Sequence, residues 1–445
     1  MPTNRKKVLV ITYYFPPAGG VAVQRTLKYV KYLREFGWEP VVLTARCADY
    51  PVYDESLFSE IPEGVKVYRS LIFEPYKIYR RFTGRKADES TDIATLTLDE
   101  PTKNKFSERI SEWIRSSFFV PDARIGWLFF ATFLGKKILK DEKIDLIYSS
   151  ATPYTTHLIG LKLRRFSKLK WVADFRDSWI GWHQTPQWRP GISKKIEYKM
   201  EGAVLREADC VITASEGIKN DLLSRHSDLH EKKWVVITNG FDAEDFLGLE
   251  AMPRVNKLTI TYTGSLDGVR NPESFISALE NLSKEFEDLT ENLHVRFVGR
   301  IGEPIVKRIE GSCVKSIFEM IPFVSHFDSL RYMLASDVLL ILVDAADVNR
   351  AMISAKLFEY IGAGGTILAI APQGDLTELI CNNNLGFTVC PKNIAGIKSI
   401  LQQLLKLFKS GGKFKPFDEQ VANKFGRKGL TAKLSSVFND LCQQA

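Results

Sequence analysis

The stretch ISAKLFEYIGAGGTILAI, residues 353–370, predicts a loop, a short helix, a glycine turn and a buried strand, in that order. Ser354 can cap the helix by accepting a hydrogen bond from an amide of the first turn. An apolar face at helical spacing is supplied by Leu357, Phe358 and Ile361. Gly364 and Gly365 end the helix before an apolar run at residues 367–370. The stretch is typical of a helix-to-strand unit in an α/β domain.

The start of this helix has the properties of an anion site. Its N–H groups and the positive end of the helix dipole favour phosphate. Lys356 would be misplaced in the first turn unless an anion sits nearby, and Glu359 lies one turn deeper. A solvated lysine and glutamate on an ordinary helix would give the same pattern, so the decision rests on the remaining sequence.

Length and composition bound the class of protein. A chain of 445 residues with 45% hydrophobic and 26% charged residues can form two domains with substantial cores. A net charge of +8 suits an anionic substrate or a lipid surface, or serves solubility alone, and we do not expect a nucleic-acid partner. Six scattered cysteines without a C-x-x-C pair predict neither a disulfide framework nor a zinc site, which fits a cytoplasmic protein.

The amino terminus superficially resembles a signal peptide. Its apolar core at residues 8–11 is too short, and Pro16, Pro17, Gly19 and Gly20 break the uncharged run beyond that core. Apolar runs elsewhere are shorter still, so we expect no transmembrane segment and only peripheral membrane contact.

The first half of the chain reads as a doubly wound domain. Strands are predicted at residues 8–12, 41–44, 145–149, 170–173, 210–213 and 234–238. Gly19 and Gly20 come after the first strand and so lie at the carboxyl edge of the sheet, where ligands bind such folds. The G-x-G-x-x-G fingerprint is missing, which removes the main support for a dinucleotide cofactor. A plain tight turn would also explain the two glycines.

The regular alternation fades at residues 50–133, which we interpret as an insertion. Basic and aromatic residues interleave there, in a segment that runs from residue 76 to Trp127. Aromatic rings settle at the headgroup level of a membrane while lysine and arginine meet phosphate. The segment is therefore predicted either to contact a membrane or lipid-linked acceptor, or to pack on the domain as a helical excursion.

The fourth predicted strand of this domain runs into Asp174-Phe-Arg-Asp177. Two carboxylates bracket Arg176 at the end of a strand, where substrates bind, and the arginine can hold both ionised. The alternative is a self-contained ion pair that fixes the loop.

The strand pattern restarts after residue 250. Strands are predicted at residues 258–263, 294–298, 317–321, 338–343, 367–370 and 387–389. The loop after the first of them, Gly264 to Arg270, places Arg270 within reach of a phosphate near Ser354 and Lys356. The expected fold class is α/β, with two Rossmann-like doubly wound domains facing across a cleft that holds a ligand.

The chain resembles a GT-B glycosyltransferase of the family 4, or group 1, type over almost its whole length. The resemblance is carried by Pro-Pro-Ala-Gly-Gly at residues 16–20, Asp174-Phe-Arg-Asp177, Asn239-Gly-Phe-Asp242, Thr263-Gly-Ser-Leu266, Val324-Ser-His-Phe327 and Lys356-Leu-Phe-Glu-Tyr360. Each motif is weak alone, and their order makes the resemblance specific.

The resemblance implies a division of labour between the domains. Residues 241–415 would bind a nucleotide diphosphate sugar, residues 1–240 would carry the acceptor beside Gly19 and Gly20, and a helical segment at 416–445 would pack back on the first domain. The donor site would comprise Gly264, Ser265, Arg270, Ser354, Lys356, Leu357 and Glu359. In it, Glu359 would bind the ribose hydroxyls and Arg270 would replace the family's phosphate-binding lysine. Family members of this type retain anomeric configuration and use no metal or other cofactor, and the absence of an Asp-x-Asp motif agrees with this.

Two positions depart from the family pattern. The first glutamate of the family's pair would fall on Ala351, and the arginine usual after the first-strand glycine is Ser265. We interpret these as a subfamily variant.

The function expected from the resemblance is hexosyl or related glycosyl transfer to a glycan or lipid-linked acceptor. It would serve bacterial-type surface polysaccharide or glycoconjugate synthesis at the cytoplasmic face of a membrane. Asp174 and Asp177 would orient the acceptor hydroxyl, and Arg176 would set their geometry. A nucleotide-sugar epimerase and a non-catalytic assembly partner stay open as alternatives.

Overall fold

A computed structural model describes residues 5–73, 120–180, 191–229, 233–266, 270–346, 349–351, 353–412, 414 and 419–443. The chain divides into two compact units. The first unit comprises Met1–Thr238 and Arg427–Ala445, and the second comprises Asn239–Gly426.

The first unit is built on a seven-stranded parallel sheet. Its strands are β1 (Lys6–Ile11), β2 (Trp38–Ala45), β3 (Lys66–Ser70), β4 (Leu146–Ala151), β5 (Lys170–Phe175), β6 (Cys210–Thr213) and β7 (Trp234–Val236). They are arranged in the order β3-β2-β1-β4-β5-β6-β7. The described helices of this unit are α1 (Val21–Tyr32), α2 (Trp127–Asp141), α3 (Thr155–Ser167), α4 (Gly191–Glu207), α5 (Glu216–Arg225) and α14 (Arg427–Gln443).

The second unit repeats this plan with six strands. They are β8 (Leu258–Thr263), β9 (Leu293–Val298), β10 (Phe318–Ile321), β11 (Val338–Leu342), β12 (Thr366–Ile370) and β13 (Gly386–Val389), in the order β10-β9-β8-β11-β12-β13. Its described helices are α6 (Glu273–Ser283), α7 (Leu289–Asn292), α8 (Glu303–Glu310), α9 (His326–Leu334), α10 (Lys356–Ala363), α11 (Asp375–Asn382), α12 (Ile394–Lys409) and α13 (Glu419–Lys424).

The strand order reverses once in each sheet, between β1 and β4 and between β8 and β11. Loops that leave the carboxyl ends of strands on either side of such a reversal diverge and leave a crevice, which is where doubly wound folds bind ligands. The Gly19 loop comes after β1 and the Gly264 loop after β8. The predicted fold class of two doubly wound α/β domains is confirmed at the level of the individual sheets.

The predicted insertion at residues 50–133 is wrong at both of its described ends. Residues 66–70 form the edge strand β3, which pairs in parallel with β2, and α2 starts at Trp127. A five-residue edge strand is largely solvated, so its sequence Lys-Val-Tyr-Arg-Ser lacks the apolar run that marks a buried strand. Residues 74–119 lie outside the described residues.

The boundary expected at residue 415 falls instead at Gly426. Helix α13 stays with the second unit because Phe425, just after it, packs on Phe358 with ring centroids 5.6 Å apart. Helix α14 lies in the first unit, where Phe438 contacts Trp38 at 5.2 Å and Asn439 accepts a hydrogen bond from the Trp38 indole at 3.1 Å.

Among the described helices, none combines the length and the apolar character needed to span a membrane.

Candidate functional site

The loop after β8 in the second unit brings three of the predicted donor-site residues together. Gly264 has φ of 109°, and a Cβ at this position would lie 2.6 Å from Cε of Lys356. The backbone conformation therefore favours glycine, which also leaves room for the lysine side chain that crosses it. Ser265 is the next residue, and its carbonyl oxygen accepts a hydrogen bond from the Tyr262 hydroxyl at 2.8 Å.

Tyr262 fixes the position of the Lys356 ammonium group. Lys356 Nζ donates to the Tyr262 hydroxyl at 2.6 Å and lies 4.1 Å from the centroid of its ring. Because Tyr262 stands on β8 and Lys356 opens α10, the contact joins the two sides of the strand-order reversal. Sequence reasoning named Lys356 and overlooked Tyr262, whose place inside an apolar strand resembles that of any core aromatic.

The predicted capping role of Ser354 is wrong. Helix α10 begins at Lys356, its N-cap residue Ala355 already has helical φ and ψ of −61° and −25°, and no side chain caps it. Ser354 contributes its carbonyl oxygen, which accepts from the Leu357 amide at 3.1 Å. The turn that leads into the helix thus displaces Ser354 from the capping position.

The expected apolar face and glycine end of α10 are confirmed. The side chains of Leu357, Phe358 and Ile361 are buried, and Gly364 ends the helix with φ of 72°. Leu357 can therefore offer a ligand only its backbone, since its side chain lies in the core.

Tyr360 on the same helix is a positioning residue that the sequence did not single out. Its buried hydroxyl accepts from the Thr263 amide at 3.1 Å and donates to the Leu340 carbonyl oxygen at 3.2 Å. It thereby locks α10 to β8 and β11.

Glu359 is partly exposed and stands near an imidazole. His326 Nδ1 lies 4.0 Å from Glu359 Oε1, and His326 Nε2 lies 3.8 Å from Asp245 Oδ2. Helix α9 carries His326 in its first turn, where Ser325 caps the helix by accepting from the Asp328 amide at 3.1 Å. His326 was part of a resemblance motif without an assigned role, and the Ser-x-x-Asp capping pattern was the available sign that it opens a helix.

Arg270 lies two residues before Pro272, the N-cap residue of α6, and is partly buried. Its contact with a donor phosphate stays a prediction.

In the first unit, Gly19 packs against a neighbouring chain segment. Its amide donates to the Val52 carbonyl oxygen at 2.9 Å, and a Cβ at Gly19 would lie 2.9 Å from Cβ of Asp54. Gly20 is exposed, has φ of 80° and stands at the N-cap of α1. Gly19 thus allows the chain to pass close to the segment that carries Asp54, and Gly20 allows it to turn into α1.

Asp174 does not form the predicted unit with Arg176. Its carboxylate is fully buried and accepts two hydrogen bonds from Arg25, from Nε and from Nη2, both at 2.8 Å. Tyr148 and Ser150 donate to the same carboxylate at 2.5 and 3.0 Å. Burial alone would raise the pKa of Asp174, but the Arg25 guanidinium holds that pKa below its ordinary value. Asp174 is therefore a structural residue.

Arg176 binds backbone rather than carboxylates. Its Nε donates to the Ala151 carbonyl oxygen at 2.6 Å and its Nη2 to that of Thr152 at 3.0 Å, while Nη1 reaches Ala22. It ties the loop after β5 to the loop after β4 and to the first turn of α1. Asp177, the next residue, is partly exposed.

The loop that carries Asp177 is anchored by aromatic and polar contacts. The Tyr154 hydroxyl donates to the Ser178 carbonyl oxygen at 2.8 Å, and its ring stacks on Trp179 with centroids 4.8 Å apart. Arg225 Nη2 donates to the Ser178 hydroxyl at 3.0 Å. These contacts hold Asp177 at the carboxyl edge of the sheet.

Glu201, a buried residue of α4, lies at the centre of the contacts that anchor the Asp177 loop. Its carboxylate accepts from Arg225 Nε at 3.0 Å and from the Ile180 amide at 3.3 Å, and His226 Nε2 lies 3.0 Å away. Sequence reasoning missed this role, because a glutamate within a lysine-rich helix resembles a surface residue.

His157 is a second buried imidazole, at the start of α3. The Trp171 indole donates to Ser149 Oγ at 2.9 Å, and the same oxygen lies within hydrogen-bond distance of His157 Nδ1, at 2.9 Å. Burial lowers the pKa of His157 to about 3, so the ring is neutral at physiological pH.

Two parallel sheets, each with a glycine loop beside its strand-order reversal, define the class of proteins with the GT-B fold. The structure of the Anabaena protein Alr3699/HepE in complex with UDP and glucose matches 98% of this chain and 100% of its own, with a TM-score of 0.61 and 14% identity. A putative UDP-N-acetylglucosamine 2-epimerase from Listeria monocytogenes matches 99% of this chain and 98% of its own, with a TM-score of 0.55 and 12% identity. At these identities the likeness concerns the fold.

The sequence comparison narrows the class. Residues 85–245 match the model of Glycosyltransferase Family 4, which confirms the resemblance to GT-B glycosyltransferases of the family 4 type. Glycogen synthase of Mycobacterium tuberculosis is 23% identical over 253 residues, which are 55% of this chain and 57% of the relative. The chain thus spans a little over half the length of this curated relative.

Proposed function

We propose that this protein transfers a glycosyl group, with retention, from a nucleotide diphosphate sugar to a glycan or lipid-linked acceptor. The observation that carries the proposal is the arrangement of Gly264, Ser265 and Lys356 around Tyr262 at the strand-order reversal of the second unit. The Lys356 ammonium group is held beside a loop in which Gly264 leaves room for a diphosphate to approach the backbone.

In this proposal the second unit binds the donor. Lys356, Arg270 and the first turn of α10 neutralise the diphosphate as it leaves, which stabilises the transition state electrostatically. Glu359 accepts hydrogen bonds from the ribose hydroxyls, and His326 holds it in place through the 4.0 Å contact. The complex of HepE with UDP and glucose makes UDP-glucose the first donor to test.

The first unit is proposed to supply the acceptor side. Gly19 and Gly20 form the acceptor-side loop, and Asp177 orients the attacking hydroxyl. Arg176 acts as a positioning residue through its bonds to backbone. Asp174 has no part in this chemistry, because it is buried against Arg25. We further propose that transfer needs no metal and serves surface polysaccharide or glycoconjugate synthesis at the cytoplasmic face of a membrane.

The membrane contact is better assigned to α2 than to the whole segment from residue 76 to Trp127. Trp127 is fully buried and donates to Ser70 Oγ at 2.7 Å, so its expected contact with lipid is wrong. Two phenylalanines further along the helix, Phe129 and Phe133, are 75% and 73% exposed.

Lysines complete this face of α2. Lys136 and Lys140 come after Phe129 and Phe133 at helical spacing, and their ammonium groups lie 4.8 and 5.9 Å from the ring centroid of Phe166. We call Phe129, Phe133, Lys136 and Lys140 the aromatic–lysine stripe of α2, and Phe166 beside it belongs to α3. Exposed rings beside lysines fit an anionic lipid surface, where rings enter the headgroup layer and ammonium groups meet phosphate.

The test of the proposed function is incubation of the protein with UDP-glucose, UDP-N-acetylglucosamine and GDP-mannose, followed by chromatography of nucleotides and sugars. Glycosyl transfer predicts release of nucleoside diphosphate that an acceptor stimulates. An isomerised sugar without net release would instead establish the epimerase whose fold this chain shares. If neither nucleotide release nor an isomerised sugar is found, and the protein does not bind nucleotide, a non-catalytic assembly partner is favoured. The departures from the family pattern at Ala351 and Ser265 are the reason to consider this role.

A further inference from the structure

A cavity of about 230 Å³ lies in the first unit at the carboxyl ends of β2 and β3. Residues that line it include Pro17, Cys47, Asp49, Tyr50, Tyr53 and Arg69. The acceptor-side loop forms part of its wall, because Ala18 pairs with Tyr53 and the Asp54 amide donates to the Pro17 carbonyl oxygen at 2.9 Å. The cavity is smaller than the roughly 300–1,000 Å³ of pockets for drug-sized ligands, so it suits one small group.

Arg69 is the notable lining residue, because a partly buried guanidinium normally pairs with an anion. Within the described part of the chain, its one hydrogen bond runs from Nη2 to the Pro16 carbonyl oxygen at 2.5 Å, and no carboxylate lies within ion-pair distance. Among the described residues, the titratable groups that act on it are Tyr50 and Cys47. Burial lowers the pKa of Arg69, although a guanidinium stays charged.

Among the described residues that line the cavity, none forms an ion pair with Arg69. Asp49 also lines the cavity, but it is absent from the groups that act electrostatically on Arg69. Arg46 is exposed between two lining residues, and its amide donates to the Ser70 carbonyl oxygen at 2.7 Å.

We propose that this cavity binds an oxyanion of the acceptor substrate, a phosphate or a carboxylate, with Arg69 as its main ligand. The inference rests on the proposed glycosyl transfer for the identity of the ligand as acceptor. The planar guanidinium presents paired N–H donors that match either oxyanion, and one of its five N–H groups is already fixed by Pro16. The rings of Tyr50 and Tyr53 give the attached sugar an apolar wall.

The test uses the reduced thiol of Cys47, which lines the same cavity and is exposed. The full chain is treated with the neutral reagent N-ethylmaleimide in the presence of inorganic phosphate, glucuronate or glucose, and modification of each cysteine is measured by mass spectrometry. A bound ligand slows the modification of Cys47 by the factor 1 + [L]/Kd, which is about threefold when the ligand concentration is twice Kd. The exposed thiols of Cys313, Cys381 and Cys390 serve as internal references.

The expected result is that phosphate or glucuronate slows Cys47 alone, that glucose does not, and that Arg69→Gln abolishes the effect. The more protective anion identifies the oxyanion. Arg69→Lys keeps a donor for Pro16 and a positive charge, so it should retain part of the protection. Arg206→Gln, which removes an exposed arginine paired with Asp228, should leave protection unchanged.

Equal protection by glucose, protection that survives in Arg69→Gln, or no protection by either anion would overturn the proposal. Continued protection of Cys210, the buried thiol of the first unit, from the reagent shows that a variant is folded. The readout does not depend on turnover. Nucleotide release from a donor without protection of Cys47 would therefore refute the oxyanion site while the proposed function stands.

Discussion

At the scale of single residues, the two aspartates of Asp174-Phe-Arg-Asp177 have different surroundings three positions apart. Asp174 is enclosed by Arg25, Tyr148 and Ser150, whereas Asp177 is partly exposed on a braced loop. An alternating strand sends successive side chains to opposite sides, and the strand ends at Phe175, so the first aspartate belongs to the sheet and the second to the loop.

Asp174→Asn is expected to destabilise the first unit and Asp177→Asn to slow transfer. Removing one partner of a buried ion pair costs about 3–5 kcal/mol because the other charge is left uncompensated. Removing an orienting carboxylate costs about a hundredfold or more in turnover. Thermal unfolding and acceptor-dependent nucleotide release measure the two effects on both variants. Normal turnover by a well-folded Asp177→Asn would show that this aspartate is not catalytic.

Glu359→Gln is expected to raise the Kd for UDP about tenfold or more, because each hydrogen bond to a charged group contributes about 1.5–3 kcal/mol. Isothermal titration calorimetry checks this. Glu378→Gln, at an exposed glutamate of α11, is the matched control and should bind UDP like the parent chain. Equal affinity in both variants would remove Glu359 from the donor site.

At the scale of elements, the strands and the glycine turns were predictable and the polar tertiary contacts were not. Apolar runs such as residues 338–342 identify a buried strand locally, and Gly364 ends α10 where a left-handed residue is needed. The Arg25–Asp174 pair joins residues 149 positions apart. Only the fold brings them together, and within α1 Arg25 resembles a solvated residue.

The loop after β8, the proposed donor loop, was predictable in part for the same reason. Gly264, Ser265 and Lys356 were named from motif position, but Tyr262 and Tyr360, which lock them together, were not. Their hydroxyl groups act across neighbouring strands, and a local pattern registers only their apolar rings. Ser354 failed as a cap because a single preceding turn changed where the helix begins.

The aromatic–lysine stripe on α2 is expected to bind anionic vesicles and not neutral ones. Each lysine near such a surface contributes about 1 kcal/mol, so Lys136→Gln with Lys140→Gln should weaken binding by roughly tenfold or more. Phe129→Ser with Phe133→Ser should do so as well, by removing the rings that enter the headgroup layer. Sedimentation with phosphatidylserine vesicles provides the measurement.

Phe323→Ser is the matched control, because Phe323 is 68% exposed in the second unit. Loss of binding in this control, or equal binding to neutral vesicles, would contradict the assignment to α2.

At the scale of the whole molecule, the buried His157 is expected to make the folded state less stable as the pH is lowered. The unfolded chain protonates this imidazole near pH 6.5, but the folded unit does so only at about pH 3. The free energy of unfolding therefore falls by about 1.4 kcal/mol for each pH unit below about 6.5. Above that pH, His157 does not change it.

His157→Gln should remove this contribution to the pH dependence. Urea unfolding between about pH 7 and about pH 5, monitored by tryptophan fluorescence, compares the slopes of the two chains. The same steepness in both would mean that other groups cause the acid sensitivity.

The division of the chain has a consequence for its synthesis. Trp38 of the first unit packs against Phe438 and Asn439, which are synthesised after the whole second unit. Domains usually fold in the order in which they leave the ribosome. Here the second unit, Asn239–Gly426, is synthesised before helix α14 of the first unit, so the apolar surface beside Trp38 stays uncovered until α14 has been made. A chaperone that binds apolar surface during translation is expected to bind the nascent chain beside Trp38.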